Sequence, residues 1–526
     1  MLTLFSAYFP IMLLIYLMTK KHSVAASAAL PLCASVAYIV VFGVFKLDSN
    51  LIHASVLSGL LMALTPVTII AGAIFLFRCM EVSGALYIVR LWLNQLSNNQ
   101  IAQLMIVGWA FAFLIEGASG FGTPAAIAAP ILVGLGFPAV RVVVACLILN
   151  SIPVTFGAVG TPIWFGLSMT DLSPLILNQV AWKAALINTV AAPIVVLGAL
   201  AFVVSEKQQL KRNIVFIVLS TFSCTLPYLL LSFITVEFPS LIGGLIGLII
   251  TLLLAKFSIG LDTKKLLTDN STAPSLSAVF KASFPLWGTV LLLVITRIPE
   301  LGIKSLLQLT SPAWQLSLGF LGDFSLSAAL VFKLENILET EVLWQHNLLY
   351  VPSILPFIVI GILSLWWFKQ GKILAVFQHT GASLKKPVIA LMGALVFVNL
   401  MMLGGTQSAV SLIGQNLANI SGDKWLIFSP FLGALGSFFS GSATISNLTF
   451  AGIQYSIATD LGLNVSTIMA LQAVGSAMGN MICIHNIVAV TSILALKNVE
   501  GYILKRSMAV LFVYGAIAST MGVLLT

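Results

Sequence analysis

The sequence predicts an all-α polytopic membrane protein. It would contain two inverted-topology repeats, each with a re-entrant hairpin and a broken transmembrane helix, for about 12 spanning helices plus two hairpins. Three observations predict it. Of the 526 residues, 59% are hydrophobic and only 8% charged, where a soluble domain carries about 25% charged residues. Basic residues gather in short clusters between apolar runs. Two regions, 101–165 and 426–495, are apolar yet repeatedly broken by Gly, Pro, Ser, Thr and Asn.

Apolar stretches of bilayer-crossing length, about 20 residues each, recur along the whole chain. In lipid the backbone must satisfy its own hydrogen bonds, so helices are expected. The short alternating segments of a membrane β-barrel are absent. Met1 to Met18 carries no charge, and Lys20-Lys21 follows, which reads as a retained first helix and not a cleaved leader. The basic clusters Lys20-Lys21, Lys207/Lys211/Arg212, Lys256/Lys264/Lys265, Lys369/Lys372, Lys385-Lys386 and Lys505-Arg506 mark the inner side. The segment after Arg297, with Glu300, Asp323, Glu335, Glu339 and Glu341, is expected outside.

Ordinary spans then fall near 3–19, 24–45, 55–77, 183–204, 213–232, 236–256, 282–298, 350–369, 388–405 and 507–525. The side count closes if 101–138 is a hairpin that returns to the inner side and 142–168 is one broken span leading out. In the second half, 426–463 is a hairpin returning to the outer side, and 465–495 is a broken span leading in. Span, hairpin, broken span and final span therefore occur in both halves with opposite orientation, the inverted-repeat plan of secondary carriers. Residues 1–205 form the first repeat, 206–280 a linking transmembrane pair with an inner loop, and 281–526 the second repeat with its outer loop at 299–349. Residues 82–96 read as an amphipathic helix on the inner surface, and 262–275 as a polar loop.

The first hairpin turns at Glu116-Gly-Ala-Ser-Gly-Phe-Gly-Thr-Pro124 and the second at Ser437-Phe-Phe-Ser-Gly-Ser-Ala-Thr-Ile-Ser-Asn-Leu-Thr449. Both contain Ser-Gly-x-x-Thr, at Ser119/Gly120/Thr123 and Ser440/Gly441/Thr444. Glycine permits the tight turn and the close approach of a ligand. Hydroxyls, including Ser442 and Ser446, offer neutral donors and acceptors, and Asn447 adds an amide. Helices restarting at a tip aim free N–H groups and a positive dipole end at the site, which suits an anion. The competing reading is close helix packing by small residues. Pro and Asn beside the small residues favour a site.

The broken spans supply the opposite wall through Asn150-Ser-Ile-Pro-Val-Thr-Phe-Gly-Ala-Val-Gly-Thr-Pro162 and Gln472-Ala-Val-Gly-Ser-Ala-Met-Gly-Asn-Met-Ile-Cys-Ile-His-Asn486. Irregular backbone at membrane depth is tolerated only where it lines a cavity or is buried in protein. Thr155, Asn480, His485 and Asn486 are therefore candidate site residues, with interhelical hydrogen bonding as the alternative role. Glu116 lies about fifteen residues, roughly 22 Å of helix, into its hairpin. An acid at that depth is a functional candidate because ionising it there is costly. Proton coupling and a hydrogen bond that holds the tip are its two readings. His485 titrates near neutrality in water, and proton coupling and plain packing stand level for it.

No Arg or Lys is placed near the middle of any span. A dicarboxylate or phosphate would call for firmer cationic pairing, so hydroxyls and helix ends fit a small monoanion better. The net charge of +9 reads as inner-side bias and not nucleic-acid binding. Cys33, Cys79, Cys146, Cys224 and Cys483 lack metal-ligand spacing and read as small buried hydrophobes. No cofactor or metal is expected.

The stretches EGASGFGTP (116–124), NSIPVTFGAVGTP (150–162), SPFLGALGSFFSGSATISNLTF (429–450) and GNMICIHNIVAV (479–490) resemble the bacterial L-lactate permease family. The resemblance covers essentially the whole chain and is strongest in the hairpins and broken spans. It implies a proton-coupled carrier of L-lactate, with D-lactate and glycolate as common substrates, in the bacterial cytoplasmic (inner) membrane. It also implies membership of the ion-transporter superfamily and elevator-type movement. The expected partners are thus a small monocarboxylate, a co-transported proton and the lipid bilayer. The oligomeric state stays open, a homodimer being one arrangement. One departure is Ser-Ile-Pro-Val-Thr at 151–155, where the family more often has Thr-Ala-Pro-Val-Ala; the hydroxyl of Thr155 bears on substrate preference.

Other classes are less well served. A membrane-embedded enzyme would need paired acids, a metal cluster or an activated nucleophile in the spans, and the sequence offers one deep acid. A channel does not call for opposed hairpins. A sodium-coupled carrier of another small organic anion is the alternative within the same class.

Overall fold

The computed structural model describes residues 2–19, 24, 26–97, 99–120, 123–204, 206–262, 274–297, 301–351, 353–483, 486–487, 490–491, 494, 496 and 499–526. Most of the polar loop expected at 262–275, parts of the end of the second broken span, and His485 lie outside the described residues. Among the described residues, seven helices are long and apolar enough to cross a membrane, or nine if each bent pair counts as one span. Shorter apolar helices accompany them, including Ser49–Met62 and Ile354–Trp367.

Local chemistry sets the helix ends. Ser173 caps Pro174–Val203, its Oγ accepting from the Ile176 amide at 3.4 Å, and Pro174 occupies the first turn, where no donor is missed. The span therefore begins nine residues earlier than the expected 183. Asp48 caps Ser49–Met62 through the Leu51 amide at 3.0 Å. The expected span at 55–77 is replaced by this helix and Leu64–Val82. The helix expected on the inner surface is Ala85–Leu96.

The chain folds as two compact units, and each draws on both halves of the sequence. One comprises Met1–Ile88 and Leu276–Asn416, the other Val89–Ser275 and Leu417–Thr526. The division thus cuts across the two repeats expected from the sequence.

Among the described residues, the first unit contains the one departure from an all-helical chain. The outer loop carries a four-stranded antiparallel meander, β1 (Ala313–Ser317), β2 (Asp323–Ser327), β3 (Val331–Glu335) and β4 (Trp344–Asn347), in that spatial order. The register pairs Trp314 with Leu326, Leu316 with Phe324, and Phe324 with Leu334, so apolar residues share a face. Leu334, Ile337, Leu338 and Trp344 pack around Ala54 of Ser49–Met62, and His346 Nδ1 meets Thr65 Oγ1 at 2.9 Å.

The second unit holds both hairpins and both broken spans. The arms of the first hairpin are the continuous helix from Gln100 to Ser119, π-helical over Leu104–Phe111, and Thr123–Gly134. Those of the second are Trp425–Ser440 and Ala443–Asp460. The first broken span runs Ala139–Leu149, bends by 53°, and continues over 153–164. The second runs Val465–Gly479 and then a short 3₁₀ turn, Asn480–Ile482.

Candidate functional site

All four of these elements meet at one small cavity within the second unit. The first hairpin contributes Glu116 and Gly120, and the first broken span contributes Val154, Gly157, Ala158 and Pro162. The second hairpin contributes Ser442, Ala443 and Thr444, and the second broken span contributes Asn480. The cavity volume is about 10 Å³, room for roughly one water. Val154 and Ala443 of this lining pack with Ala477 in one buried apolar cluster. Among the described residues lining the cavity, Glu116 is the one ionisable side chain.

The backbone at the first tip explains its glycines. Gly120 has φ +64°, and a Cβ there would stand 2.9 Å from the Ala158 Cβ, so only glycine makes the turn against the broken span. Facing it, Ala158, Val159 and Gly160 are all left-handed, with φ of 44°, 57° and 71°. Trp164 Nε1 donates to the Val159 carbonyl at 2.9 Å, and Thr161 Oγ1 donates to the Ala158 carbonyl. These bonds hold an arrangement that β-branched Val159 would otherwise avoid. Glu116 is 1% exposed. Asn150 Nδ2 donates to its Oε2 at 2.9 Å, and its Oε1 abuts Gly157, where a Cβ would come within 2.5 Å.

The second tip is built from its hydroxyls. Ser440 Oγ donates to the Gly436 carbonyl at 2.8 Å and lies 3.0 Å from the Ser442 carbonyl. Gly441, at φ 72°, ends one helix, and Ser442 caps the next by accepting from the Ile445 amide. The 18-residue helix Ala443–Asp460 thereby opens at the cavity, with its free amides and positive dipole end toward it. Thr444 lines the cavity directly, whereas Ser446 Oγ is spent on the Gly433 carbonyl at 2.6 Å.

A buried amide chain ties the second hairpin to the two broken spans. Trp425 Nε1 donates to Gln454 Oε1 at 2.8 Å, Gln454 Nε2 to Gln472 Oε1 at 3.1 Å, and Gln472 Nε2 to Asn447 Oδ1 at 3.2 Å. Asn447 Nδ2 then donates to the Pro162 carbonyl at 2.8 Å. Asn480 lines the cavity, and Asn486 Nδ2 fixes its Oδ1 at 2.7 Å.

The sequence-predicted residues therefore divide. Glu116, Gly120, Ser442, Thr444 and Asn480 come together around the cavity. Ser440, Gly441, Ser446, Asn447 and Asn486 are not in that lining and bond within the elements that carry it. Thr155 is turned away: its Oγ1 accepts from Asn188 Nδ2 at 2.8 Å, in a cluster with Tyr228 (2.6 Å) and Tyr514 (2.5 Å). The side chains of Ser119, Thr123 and His485 lie outside the described residues. Sequence reasoning did not single out Asn150, Asn188, Gln454 and Gln472, whose side chains make these buried hydrogen bonds. Asn150 heads the first broken motif, which was its available signal. Sequence reasoning also missed a buried cation. Because the span starts at Pro174, Lys183 lies inside it. Its Nζ donates to Asn464 Oδ1 (3.1 Å), Ser466 Oγ (2.9 Å) and Thr467 Oγ1 (2.7 Å), away from the cavity lining.

The family model described as L-lactate permease matches residues 3–526. A Haemophilus influenzae protein provisionally named an L-lactate permease is 46% identical over 99% of this chain and 98% of its own. The L-lactate permease of Salmonella typhi is 28% identical over 99% of this chain and 96% of its own. The glycolate permease of Escherichia coli is 26% identical over 90% and 87%.

Proposed function

Because the chain belongs to the L-lactate permease family, we propose that it is a secondary carrier that takes up L-lactate and related small 2-hydroxy monocarboxylates, D-lactate and glycolate among them, together with a proton. The chain is a multi-pass membrane permease and not an enzyme. Its place is the bacterial cytoplasmic (inner) membrane.

One observation carries the reading: two hairpin tips and two broken spans converge on a cavity with one acid, hydroxyls and a helix N-terminus. A carboxylate substrate accepts from the amides at the start of Ala443–Asp460 and from the hydroxyl of Thr444. Its 2-hydroxyl faces the amide of Asn480. Glu116 takes the proton and, when neutral, leaves the cavity free of net negative charge for the anion. A cavity that holds about one water is smaller than lactate, so loading requires the tips to part from the broken spans. The unit that contains both tips is the moving body of an elevator-type cycle.

The test separates coupling from binding. In proteoliposomes, Glu116→Gln is expected to abolish lactate accumulation driven by an inward proton gradient while leaving counterflow exchange at equal pH largely intact. Equal loss of both would make Glu116 a structural brace. Competition in counterflow should rank L-lactate, D-lactate and glycolate above a dicarboxylate of similar length; the reverse ranking would overturn the monocarboxylate assignment.

A further inference from the structure

Asn150 closes the first arm of the first broken span, at the end of Ala139–Leu149. It is 2% exposed, and Nδ2 donates to Glu116 Oε2 at 2.9 Å. Its Oδ1 is buried with no hydrogen-bond partner among the described residues. A buried amide with one atom satisfied and the other idle is disfavoured and calls for an explanation. The neighbouring acid supplies one. An ionised carboxylate can only accept, whereas a protonated one also donates through its O–H. A primary amide can answer either form by presenting Nδ2 or Oδ1 from the same place, because a half-turn about its terminal bond exchanges the two.

We propose that Asn150 is the positioning residue through which Glu116 takes up and releases the transported proton. With Glu116 ionised, Nδ2 donates to Oε2, as observed. When hydronium gives its proton to Oε2, one of its O–H bonds breaks to leave water, a new O–H bond forms at Oε2 and the carboxylate charge is lost. The amide turns, and Oδ1 accepts from the new O–H across the same separation. Release to water on the other side reverses both changes. Neither state then leaves the acid without a partner in a site that water reaches sparingly. A Cβ at Gly157 would stand 2.5 Å from Oε1, so glycine keeps that oxygen's space open, and the exchange takes place at Oε2, where Asn150 bonds. This inference rests on the reading of Glu116 as the proton carrier.

The surroundings leave Asn150 as the controlling group. On the elements packed against the Glu116 helix, the titratable side chains among the described residues are Arg141 and Cys146 of Ala139–Leu149, Cys224 and Tyr228 of Ile214–Ser232, Glu237 just before Pro239–Lys256, and Lys256 at its end. Tyr228 is engaged with Asn188, and Glu237 accepts from Thr235 Oγ1 at 2.8 Å. Arg141 and Lys256 sit at helix ends.

The test compares the full-length wild type with Asn150→Asp and Asn150→Leu in proteoliposomes, using labelled L-lactate. Proton-driven uptake and equal-pH counterflow are both recorded as functions of pH. Losing the donor to the ionised carboxylate should move the pH midpoint of proton-driven uptake upward by about one to two units. Asn150→Asp should move it at least as far, because a second carboxylate disfavours ionising the first. Counterflow at acid pH should stay within about threefold of wild type, a split that a merely structural role would not produce. Parallel loss of uptake and counterflow with an unmoved midpoint would overturn the proposal. If Asn150→Leu fails to yield monodisperse protein, the near-isosteric Asn150→Asp carries the test alone. If Glu116→Gln retains proton-driven accumulation, the carrier assignment of Glu116 falls and this inference with it. If Glu116→Gln abolishes accumulation while Asn150→Asp leaves the midpoint unmoved, only the role of Asn150 falls.

Discussion

Replacing Gly157 with Ala isolates the position of the Glu116 carboxylate. Gly157 has φ −64° and ψ 159°, values any residue adopts, so the substitution adds no backbone strain. The new Cβ would stand 2.5 Å from Glu116 Oε1, 3.3 Å from its Cδ and 3.5 Å from its Cγ. Ordinary contact lies near 3.5 Å, so the carboxylate must retreat by about 1 Å. That retreat disturbs the 2.9 Å bond from Asn150. Overpacking of this kind costs about 1–3 kcal/mol, and a misplacement of about 1 Å at a reacting group lowers rates on the order of 100-fold. The assay is the initial rate of proton-driven L-lactate uptake in proteoliposomes, normalised to inserted protein. Gly43→Ala is the control, since an added Cβ there meets nothing within 4 Å. Gly157→Ala should transport at one-tenth of the wild-type rate or less while Gly43→Ala matches wild type. Uptake by Gly157→Ala within threefold of wild type would refute the idea that the carboxylate must sit where it does.

The other substitutions separate binding from bracing. Thr444→Ala removes a hydroxyl from the cavity lining and should raise the KM about five- to tenfold, the worth of one hydrogen bond, with an unchanged thermal midpoint. Ser440→Ala removes the bonds that shape the tip, so kcat should fall together with a rise in KM; unchanged constants in both variants would move the site elsewhere. Asn447→Ala leaves the Pro162 carbonyl without its donor and removes one acceptor of Gln472 Nε2. It should lower stability by about 1–3 kcal/mol, seen as a lower unfolding temperature in detergent, and an unchanged temperature would count against the amide chain as a brace.

Much of the architecture is legible because membrane sequences punctuate themselves. A Gly, Ser or Pro inside an apolar run must do something, and Gly120, Gly441 and Ser442 mark the turns that the structure shows. The bilayer-length runs likewise announce a helical, many-spanning chain. What stays hidden depends on distant partners. Asn447 meets the Pro162 carbonyl, and Tyr514 meets Asn188, pairs separated by hundreds of residues with no local sign of each other. Thr155 illustrates the consequence: a hydroxyl in a broken motif can serve Asn188 as well as a ligand. Left-handed Val159 breaks a local preference, and nothing in its own side chain signals it. Lys183 was hidden by a boundary, since its burial follows only when the helix is seen to start at Pro174. The meander had a signal in the alternation of Trp314 and Leu316, Phe324 and Leu326, and Phe332 and Leu334, but its charges made that segment read as a loop.

The central claim is proton-coupled carriage of a small 2-hydroxy monocarboxylate. Uptake of labelled L-lactate into sodium-free proteoliposomes tests it most directly. Accumulation above the external concentration under an inward proton gradient, collapsing when a protonophore is added, is the predicted result. No uptake with or without sodium would contradict the account.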